Sequence, residues 1–344
     1  MIRLLLPCLL LSVSVSADFT VSRQGDFYVL DNGRNIRAAI APEQGGELTG
    51  FEVHFDGQWH ELLYRARDYA NEPGWRGKAP FLWPATGVSY THDEGKGHYI
   101  LNGNRFPMPA HGFARDQSWA VVEQGEQESL SSLTLEMIRS AESQKFYPFD
   151  FELRVEYRLE TDRLSLLYTV VADDGNDGPM PFSIGNHVTF RAPLIAGTPA
   201  GSVRFYNDFP EQLLRDENNA FSGEVVPSPL RGWHEISELP LRYAVSLGGP
   251  PTRAVLLVLD PSGLQLKMVH QASEAPSRPV VLFNLWADVN EGFFSPEPWL
   301  GTQNSLNSGA GLIRLEPGQR WQWRIDIFPS RGDGSGDPLS KESP

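Results

Sequence analysis

Residues 149–171 read FDFELRVEYRLETDRLSLLYTVV, and this stretch predicts the fold most directly. In its first half, apolar residues alternate with charged residues from Phe151 to Leu159. Because successive side chains of a β-strand point to opposite faces, this alternation predicts a strand with one buried and one wet face. A short polar break then precedes a second apolar run that starts at Leu164. The two runs are therefore predicted to be neighbouring strands of an antiparallel sheet.

Strand-like patterns recur over most of the chain. Ala254–Leu259 and residues 280–286 are short apolar runs, typical of strands that are covered on both faces. Residues 321–328 alternate again and predict a closing strand near the C-terminus. No amphipathic helix longer than about three turns is apparent, and 32 glycines with 27 prolines suit many turns. The sequence predicts a mostly β fold, one large antiparallel β-sandwich over residues 18–329.

The two ends of the chain differ from this pattern. A positive start at Arg3, an apolar run over residues 4–15 and small residues up to Ala17 have the layout of a secretory signal peptide. The apolar run is shorter than the roughly 20 residues that span a membrane. We therefore expect cleavage after Ala17, export to a periplasm or the cell exterior, and no membrane span in the mature chain. Residues 330–344 are rich in Gly, Asp, Ser and Pro and predict a disordered tail.

Composition limits the classes of function. The only cysteine, Cys8, lies in the predicted signal peptide, so disulfides and thiolate chemistry are excluded for the mature chain. A net charge of −14 argues against nucleic acid as a partner, because phosphates require basic patches. The same charge says little about a small neutral ligand. The sequence does not indicate an oligomeric state.

Two of the eight histidines stand in unusual surroundings. His111 follows two prolines and precedes Gly112, which lets the backbone approach another segment closely. His187 ends an apolar, strand-like run beside Asn186. A buried histidine needs a hydrogen-bond partner or a chemical task. Either residue, taken alone, is also compatible with a purely structural role.

A third candidate is Glu297, which lies between Pro296 and Pro298 and near Trp299. The prolines restrict the backbone, and apolar neighbours raise the pKa of a carboxyl group towards the range of a useful general base. The competing interpretation is an ordinary carboxylate in a turn.

Three other kinds of site are weaker. A zinc site built from His111, His187 and Glu297 has suitable ligands, but the close helical histidine spacing of metal hydrolases is missing. No Gly-x-Ser-x-Gly elbow occurs in a strand-to-helix context. A glycosidase needs a second carboxylate facing Glu297, and Asp288 and Glu291 are candidates that look like loop residues.

Taken together and in order, several segments resemble the aldose 1-epimerase (galactose mutarotase-like) family. The resemblance extends over roughly residues 40–328, nearly all of the predicted mature chain. The blocks that carry it are residues 74–87, residues 109–115 with Trp119, residues 147–153, residues 180–187, and residues 285–287 with 296–301.

The resemblance implies a galactose mutarotase-like supersandwich that interconverts the α and β anomers of a free aldose, a small sugar substrate. Glu297 matches the base that takes the proton from the anomeric hydroxyl, and His187 matches the acid that protonates the ring oxygen. His111 matches a third catalytic residue, which hydrogen-bonds the sugar and helps to polarise the same region. This chemistry needs no cofactor and no metal, and Trp286 would offer the sugar a stacking surface.

The chain departs from the family in two substrate-gripping residues. Many members carry an arginine where this chain has Thr86-Gly87-Val88, and an aspartate where the nearest segment is residues 239–244 without an acid. Arg115 is a candidate to contact one sugar hydroxyl, or else to brace the His111 turn. The departures leave two alternatives open: a carbohydrate-binding protein without turnover, and a hexose-phosphate 1-epimerase, which the predicted signal peptide opposes.

Overall fold

The computed structural model describes residues 18–64, 79–93, 95–241, 243–250 and 253–332. The predicted signal peptide, residues 74–78 of the first family-like block and most of the predicted tail lie outside these residues. The first described residues form ten strands: β1 (Thr20–Gln24), β2 (Phe27–Asp31), β3 (Ile36–Ala41), β4 (Glu47–Phe55), β5 (Gln58–Glu61), β6 (Phe81–Leu82), β7 (Tyr90–Thr91), β8 (Gly95–Lys96), β9 (His98–Leu101) and β10 (Asn104–Pro107).

Strands also dominate the rest of the chain. The middle part forms β11 (Ala120–Gln127), β12 (Leu130–Ile138), β13 (Phe151–Leu159), β14 (Leu164–Ala172), β15 (Met180–Phe182), β16 (Ile184–Asn186), β17 (Phe190–Arg191), β18 (Arg204–Asn207), β19 (Glu211–Arg215), β20 (Phe221–Pro227) and β21 (Gly232–Glu235). The last part forms β22 (Val245–Gly248), β23 (Ala254–Leu259), β24 (Leu264–Ala272), β25 (Val281–Asp288), β26 (Phe293–Gly301), β27 (Ile313–Leu315) and β28 (Arg320–Arg331).

Helices are short in the described part of the chain. Two α-helices have four residues each, and three 3₁₀ helices have three residues each. The helices are α1 (Ser143–Phe146), α2 (Ser305–Ser308) and the 3₁₀ segments Ala114–Asp116, Ala200–Ser202 and Ile236–Glu238. The prediction of a mostly β chain is confirmed. No helix among the described residues is long and apolar enough to cross a membrane.

The strands assemble into three large antiparallel sheets and three two-stranded ribbons. The first sheet has the order β1-β2-β3-β4-β5. A nine-stranded sheet has the order β11-β12-β13-β14-β28-β24-β23-β18-β21. An eight-stranded sheet runs β20-β19-β22-β25-β26-β16-β6, with β17 also paired to β26. The ribbons are β7-β8, β9-β10 and β15-β27.

The strands predicted from residues 149–171 lie side by side in the nine-stranded sheet. β13 pairs with β14 in antiparallel register, from Phe151 opposite Ala172 to Leu159 opposite Leu164. All five apolar residues of β13 are buried, and its charged residues are more exposed. All six residues of β23 are buried, and β28 alternates as predicted. β28 continues through Ser330 and Arg331, so ordered structure extends two residues past the predicted start of the tail.

The nine- and eight-stranded sheets pack face to face through aromatic side chains. Phe81 of the eight-stranded sheet stacks on Tyr168 of the nine-stranded sheet, with ring centroids 4.5 Å apart. Phe294 and Phe205 make a tilted ring contact elsewhere in the interface, with centroids 5.7 Å apart. These contacts belong to one hydrophobic cluster, which reaches from Leu30 to Ile327. The arrangement is the predicted β-sandwich. Burial of the two inner faces holds its layers together.

His270 of β24 is a buried polar residue between the two sheets. Its Nε2 lies 2.8 Å from the carbonyl oxygen of Leu282, and its Nδ1 accepts a hydrogen bond from Trp323 Nε1 at 3.1 Å. These partners require a neutral imidazole with the proton on Nε2. Burial lowers the pKa of His270 to about 4. A second proton on the ring would have to bind Nδ1, where it would face the indole N–H of Trp323 and lose that hydrogen bond.

This environment predicts an acid-sensitive contribution to stability. The folded-state pKa of His270 lies below its unfolded value, so the unfolded state binds more protons between about pH 6.5 and pH 4. The stabilisation is complete above pH 6.5, and we expect about 2–3 kcal/mol of it to be lost by pH 4.5. Urea unfolding of wild type and His270→Gln at pH 7.5 and pH 4.5 measures this loss. An equal fall with pH in both proteins would contradict the assignment.

Candidate active site

Glu297 lies in the middle of strand β26, fully buried, and not in a turn as one interpretation of its sequence had it. On one side, β26 pairs with β25, where Asn284 is opposite Glu297. On the other side, pairing with β17 ends at Phe294 and pairing with β16 resumes at Trp299. Pro296 and Pro298 fall in this gap, where a ladder hydrogen bond is not required. The gap also leaves room for the segment that carries His187.

Two neutral donors hold the carboxyl group of Glu297. Asn284 Nδ2 donates to Oε1 at 2.9 Å, and Trp299 Nε1 donates to Oε2 at 3.1 Å. Burial raises the pKa of Glu297 to about 8, against the opposing effects of the Asn284 hydrogen bond, the positive charge of Arg215 and the Trp299 hydrogen bond. The prediction that apolar surroundings raise this pKa is therefore supported.

His187 faces Glu297 from the break between β16 and β17. Its Nε2 lies 3.6 Å from Glu297 Oε1. Its Nδ1 lies 3.3 Å from the hydroxyl of Ser295 and 3.4 Å from that of Thr189. Ser295 donates its proton to the carbonyl oxygen of Val188, and Thr189 has closer acceptors in Ser295 Oγ and the carbonyl oxygen of His187, so neither hydroxyl proton is left over for Nδ1. Nδ1 is therefore the donor, and Nε2 presents its lone pair to Glu297.

The Glu297–His187 pair shares one exchangeable proton in the resting site. Burial raises the pKa of Glu297, and burial also lowers the pKa of His187, to about 3. Both shifts favour a protonated carboxyl group beside a neutral imidazole.

His111 is held in a tight turn by the backbone of Gly87. Its own backbone lies in the left-handed region, with φ of 70°, and its N–H donates to Gly87 O at 2.8 Å. The N–H of Gly87 donates in return to His111 Nδ1 at 3.2 Å. Nδ1 is thus an acceptor, and the proton of the neutral ring is on Nε2. Burial and the proximity of His187 hold the pKa of His111 well below its usual value, which keeps it neutral.

Gly112 makes this turn possible, as its sequence context predicts. The residue has φ of 73° and forms a backbone bridge with Trp83. A Cβ atom at this position would lie 2.1 Å from the carbonyl oxygen of Trp83. The backbone thus approaches another segment too closely for a side chain.

The three predicted catalytic residues converge on one cavity of about 850 Å³. The His111 and His187 rings lie 5.6 Å apart, at 79° to each other. Trp286, predicted as a stacking surface, also lines the cavity and contacts the His187 ring edge-on at 6.2 Å. The volume is within the usual range of small-molecule sites. The cavity is also lined by Gly87 and Val88, part of the segment where the family resemblance implied an arginine that this chain lacks.

Arg115 is not among the residues that line this cavity. Its Nη2 donates to the carbonyl oxygen of Ala110 at 3.1 Å, immediately before His111. This contact fits the alternative that Arg115 braces the His111 turn, and the contact of Arg115 with a sugar hydroxyl stays a prediction.

Arg215, at the end of β19, is a site residue that sequence reasoning missed. Its guanidinium donates to the side-chain oxygens of Asn284, Ser246 and Asn219 on the cavity wall. Two further carboxylates line the cavity beyond it: Asp216, which accepts from the backbone N–H groups of its own turn, and Glu217, which is exposed. The pairing of β19 with the sheet brings Arg215 here, and its local sequence holds no signal of this role.

The two carboxylates suggested as partners of Glu297 lie elsewhere. Asp288 accepts hydrogen bonds from the backbone N–H groups of Asn290 and Glu291, which makes it a turn residue. Glu291 lines a separate depression beside Tyr64. Within the described ranges, no group of three or more His, Cys, Asp or Glu side chains has the arrangement of a metal site.

Comparison with known proteins identifies the family of the chain. The family model described as aldose 1-epimerase matches residues 26–230, more than half of the chain. The chain belongs to the aldose 1-epimerase family. The match includes His111 and His187, and Glu297 follows in the part of the sandwich beyond it.

Curated relatives of this aldose 1-epimerase family member are distant. The plasmid-encoded protein LacX of Lactococcus lactis is 26% identical over 284 residues, which cover 77% of this chain and 85% of LacX. An Escherichia coli K12 protein with a provisional glucose-6-phosphate 1-epimerase name is 31% identical over 203 residues, 57% of this chain and 60% of that protein.

Solved structures show the same fold. A galactose mutarotase-like protein from Clostridium acetobutylicum superposes with a TM-score of 0.73 at 18% identity, over 91% of this chain and 99% of that one. The Slr1438 protein of Synechocystis sp. PCC 6803 gives 0.71 at 24% identity, over 91% and 98%. The predicted galactose mutarotase-like supersandwich is thereby confirmed.

Proposed function

We propose that this protein is a mutarotase that interconverts the α and β anomers of a free aldose. The observation that carries the proposal is the Glu297–His187 pair, 3.6 Å apart and buried at the base of a cavity that His111 also lines. A pair of this kind supplies one proton acceptor and one proton donor to the same small molecule. Family membership supports the reaction class.

The proposed reaction moves one proton in each direction. With the shared proton on His187, the Glu297 carboxylate takes the proton from the hydroxyl on the anomeric carbon. The bond from that carbon to the ring oxygen breaks, and His187 gives its proton to the ring oxygen. The open aldehyde turns about its first carbon–carbon bond. The ring then closes on the other face, and both protons return.

The resting proton position shapes the energetics of this step. The pKa shifts place the proton on Glu297, so the reactive arrangement requires its transfer to His187. Both arrangements carry the same net charge, and each tenfold difference in their populations corresponds to about 1.4 kcal/mol. A bound sugar hydroxyl beside Glu297 favours the carboxylate by donating a hydrogen bond to it.

His111 and Trp286 complete the proposed sugar contacts. His111 presents its Nε2 proton, because Nδ1 is occupied by the backbone of Gly87. A neutral donor of this kind stabilises negative charge on a sugar oxygen and does not exchange a proton itself. The partly exposed Trp286 offers a flat apolar surface for the C–H face of a pyranose.

The charges in the described part of the cavity favour a free aldose over a phosphorylated one. Asp216 and Glu217 place two carboxylates on the wall of the cavity and at its rim. Arg215 is already engaged by Asn284, Ser246 and Asn219. A phosphate dianion there would face like charges. The distant relative with a glucose-6-phosphate epimerase name is the reason to test the phosphorylated sugar directly.

Polarimetry tests this proposal. Freshly dissolved α-D-glucose, α-D-galactose and α-D-glucose 6-phosphate are followed with and without purified protein, in a buffer that does not itself catalyse the reaction. We expect acceleration with at least one free aldose and a lower kcat/KM with the phosphate. A preference for the phosphate would support a hexose-phosphate epimerase. Sugar binding by calorimetry without any acceleration would support a carbohydrate-binding protein.

We further propose that the mature protein is exported, as the first 17 residues predict. N-terminal sequencing of the protein from its own host tests this, with Asp18 as the expected first residue. A mature chain that still begins at residue 1 would contradict it.

A further inference from the structure

A row of polar side chains crosses the eight-stranded sheet and ends at Glu297. Leu213 of β19 lies opposite Ser246 of β22, Ser246 lies opposite Asn284 of β25, and Asn284 lies opposite Glu297 of β26. Arg215 follows Leu213 at the end of β19, and its guanidinium reaches the side chains of Ser246 and Asn284. The row therefore connects a cation on the cavity wall to the carboxyl group of the proposed base.

Hydrogen bonds run along this row without interruption. The Arg215 guanidinium donates to Asn284 Oδ1, and Asn284 Nδ2 donates to Glu297 Oε1 at 2.9 Å. Ser246 Oγ also contacts both partners, at 3.0 Å from Arg215 Nη2 and 3.2 Å from Asn284 Oδ1. The Asn284 amide is thereby fixed, with its oxygen towards the guanidinium and its nitrogen towards the carboxyl group.

We propose that Arg215 is a positioning residue that acts through Asn284 to orient Glu297 and to stabilise its ionised form. A charged donor on the amide oxygen polarises the amide and strengthens the hydrogen bond that its nitrogen donates. The positive charge also favours the carboxylate directly. Arg215 thus opposes the burial that holds the proton on Glu297.

This inference rests on the proposed function only in its kinetic consequences. Without the Arg215 charge, the proton is held more firmly by Glu297, and the reactive arrangement with the proton on His187 becomes rarer. The titratable or charged side chains that share the cavity with Glu297 are His111, His187, Arg215, Asp216, Glu217 and Tyr243. Arg215 is the cation in this set at neutral pH, since both histidines are held neutral by burial.

The direct experiment is an NMR titration that does not depend on turnover. The indole N–H of Trp299 donates to Glu297 Oε2, so its ¹⁵N-resolved signal reports the ionisation of Glu297. Trp299→Phe assigns the signal, and Glu297→Gln should abolish its titration. Wild type is expected to titrate near pH 8, because burial raises the pKa of Glu297 to about 8. In Arg215→Gln we expect the midpoint to rise by about one pH unit.

The matched control is Arg278→Gln. Arg278 pairs with Glu211 at the opposite end of β19, so the control removes the same charge from the same strand's surroundings. Its Trp299 midpoint should equal that of wild type. If Arg215→Gln folds and titrates at the wild-type midpoint, the proposal is overturned. If Arg215→Gln does not fold, Asn284→Ala carries the test, since loss of the amide donor should also raise the midpoint.

The kinetic signature separates positioning from a merely structural role. In Arg215→Gln, the plateau rate of mutarotation of α-D-glucose should fall about tenfold for each pH unit by which the Trp299 midpoint rises. The alkaline limb of the pH–rate profile should move to higher pH. A rate loss with an unmoved limb contradicts the proposal. Arg215→Lys, which keeps the charge, should restore the limb. If wild type accelerates no free aldose, the proposed function fails, while the Trp299 titration still decides the role of Arg215.

Discussion

Glu297→Gln should lower the rate of sugar mutarotation by about 10²–10⁴-fold while leaving sugar binding nearly intact. The amide has nearly the same shape, and it keeps hydrogen bonds with Asn284 or Trp299, the two donors to the wild-type carboxyl group. It cannot accept the proton of the anomeric hydroxyl. Polarimetry gives the rate, and calorimetric titration with the same sugar gives the affinity.

Glu291→Gln is the matched control for this substitution. Glu291 lies on the same β25–β26 hairpin but lines a separate depression beside Tyr64. The control should retain the wild-type rate within about twofold, because surface substitutions of this kind rarely disturb a distant site. Full activity in Glu297→Gln would show that another group is the base.

Gly112→Ala should destabilise the fold by about 3 kcal/mol and reduce activity with it. The added Cβ would lie 2.1 Å from the carbonyl oxygen of Trp83, on a backbone with φ of 73°. The turn must open to relieve this overlap. Because His111 directly precedes Gly112, the opening displaces the His111 ring. Urea unfolding measures the change in the free energy of unfolding. Polarimetry at a temperature where the variant is folded measures how far the displacement of His111 lowers the mutarotation rate.

Gly103→Ala provides the comparison. Gly103 has φ of 79°, but a Cβ there would meet nothing within 4 Å. This control pays only the conformational penalty of about 1 kcal/mol and should keep its activity. Equal destabilisation of the two variants would mean that the close approach of Gly112 to Trp83 contributes nothing.

The sheet architecture was readable from sequence because burial on one face imposes a period of two. β13 and β28 show that period, β14 is a continuous apolar run, and all three strands were predicted within a few residues. The order of strands was not predictable, since β14 pairs with β28, from Leu164 opposite Ile327 to Val171 opposite Arg320, far apart along the chain. Such pairings are set by the packing of whole faces, and local periodicity does not record them.

The site was predictable only in part, for a similar reason. The glycine at position 112 indicated a close approach between two backbone segments, and the structure shows this approach to Trp83. The two prolines around Glu297 suggested a turn, whereas a break in strand pairing accommodates them inside β26. Arg215 left no local signal, because its role depends on three successive strand pairings that bring β19 to β26. Arg115 is the opposite case. Its position near His111 in the sequence suggested a sugar contact, but it does not line the cavity and binds the carbonyl oxygen of Ala110.

The central claim is that Glu297 and His187 together open and close the ring of a free aldose. The most direct measurement is saturation transfer between the resolved anomeric proton signals of α- and β-D-glucose, and of the two D-galactose anomers, at equilibrium with catalytic amounts of protein. We predict transfer at a rate proportional to the concentration of wild-type protein, and transfer at the uncatalysed rate with Glu297→Gln. The claim would be contradicted if wild-type protein left the transfer at the uncatalysed rate. This result would have to hold for both of these sugars and for a wider panel of free aldoses.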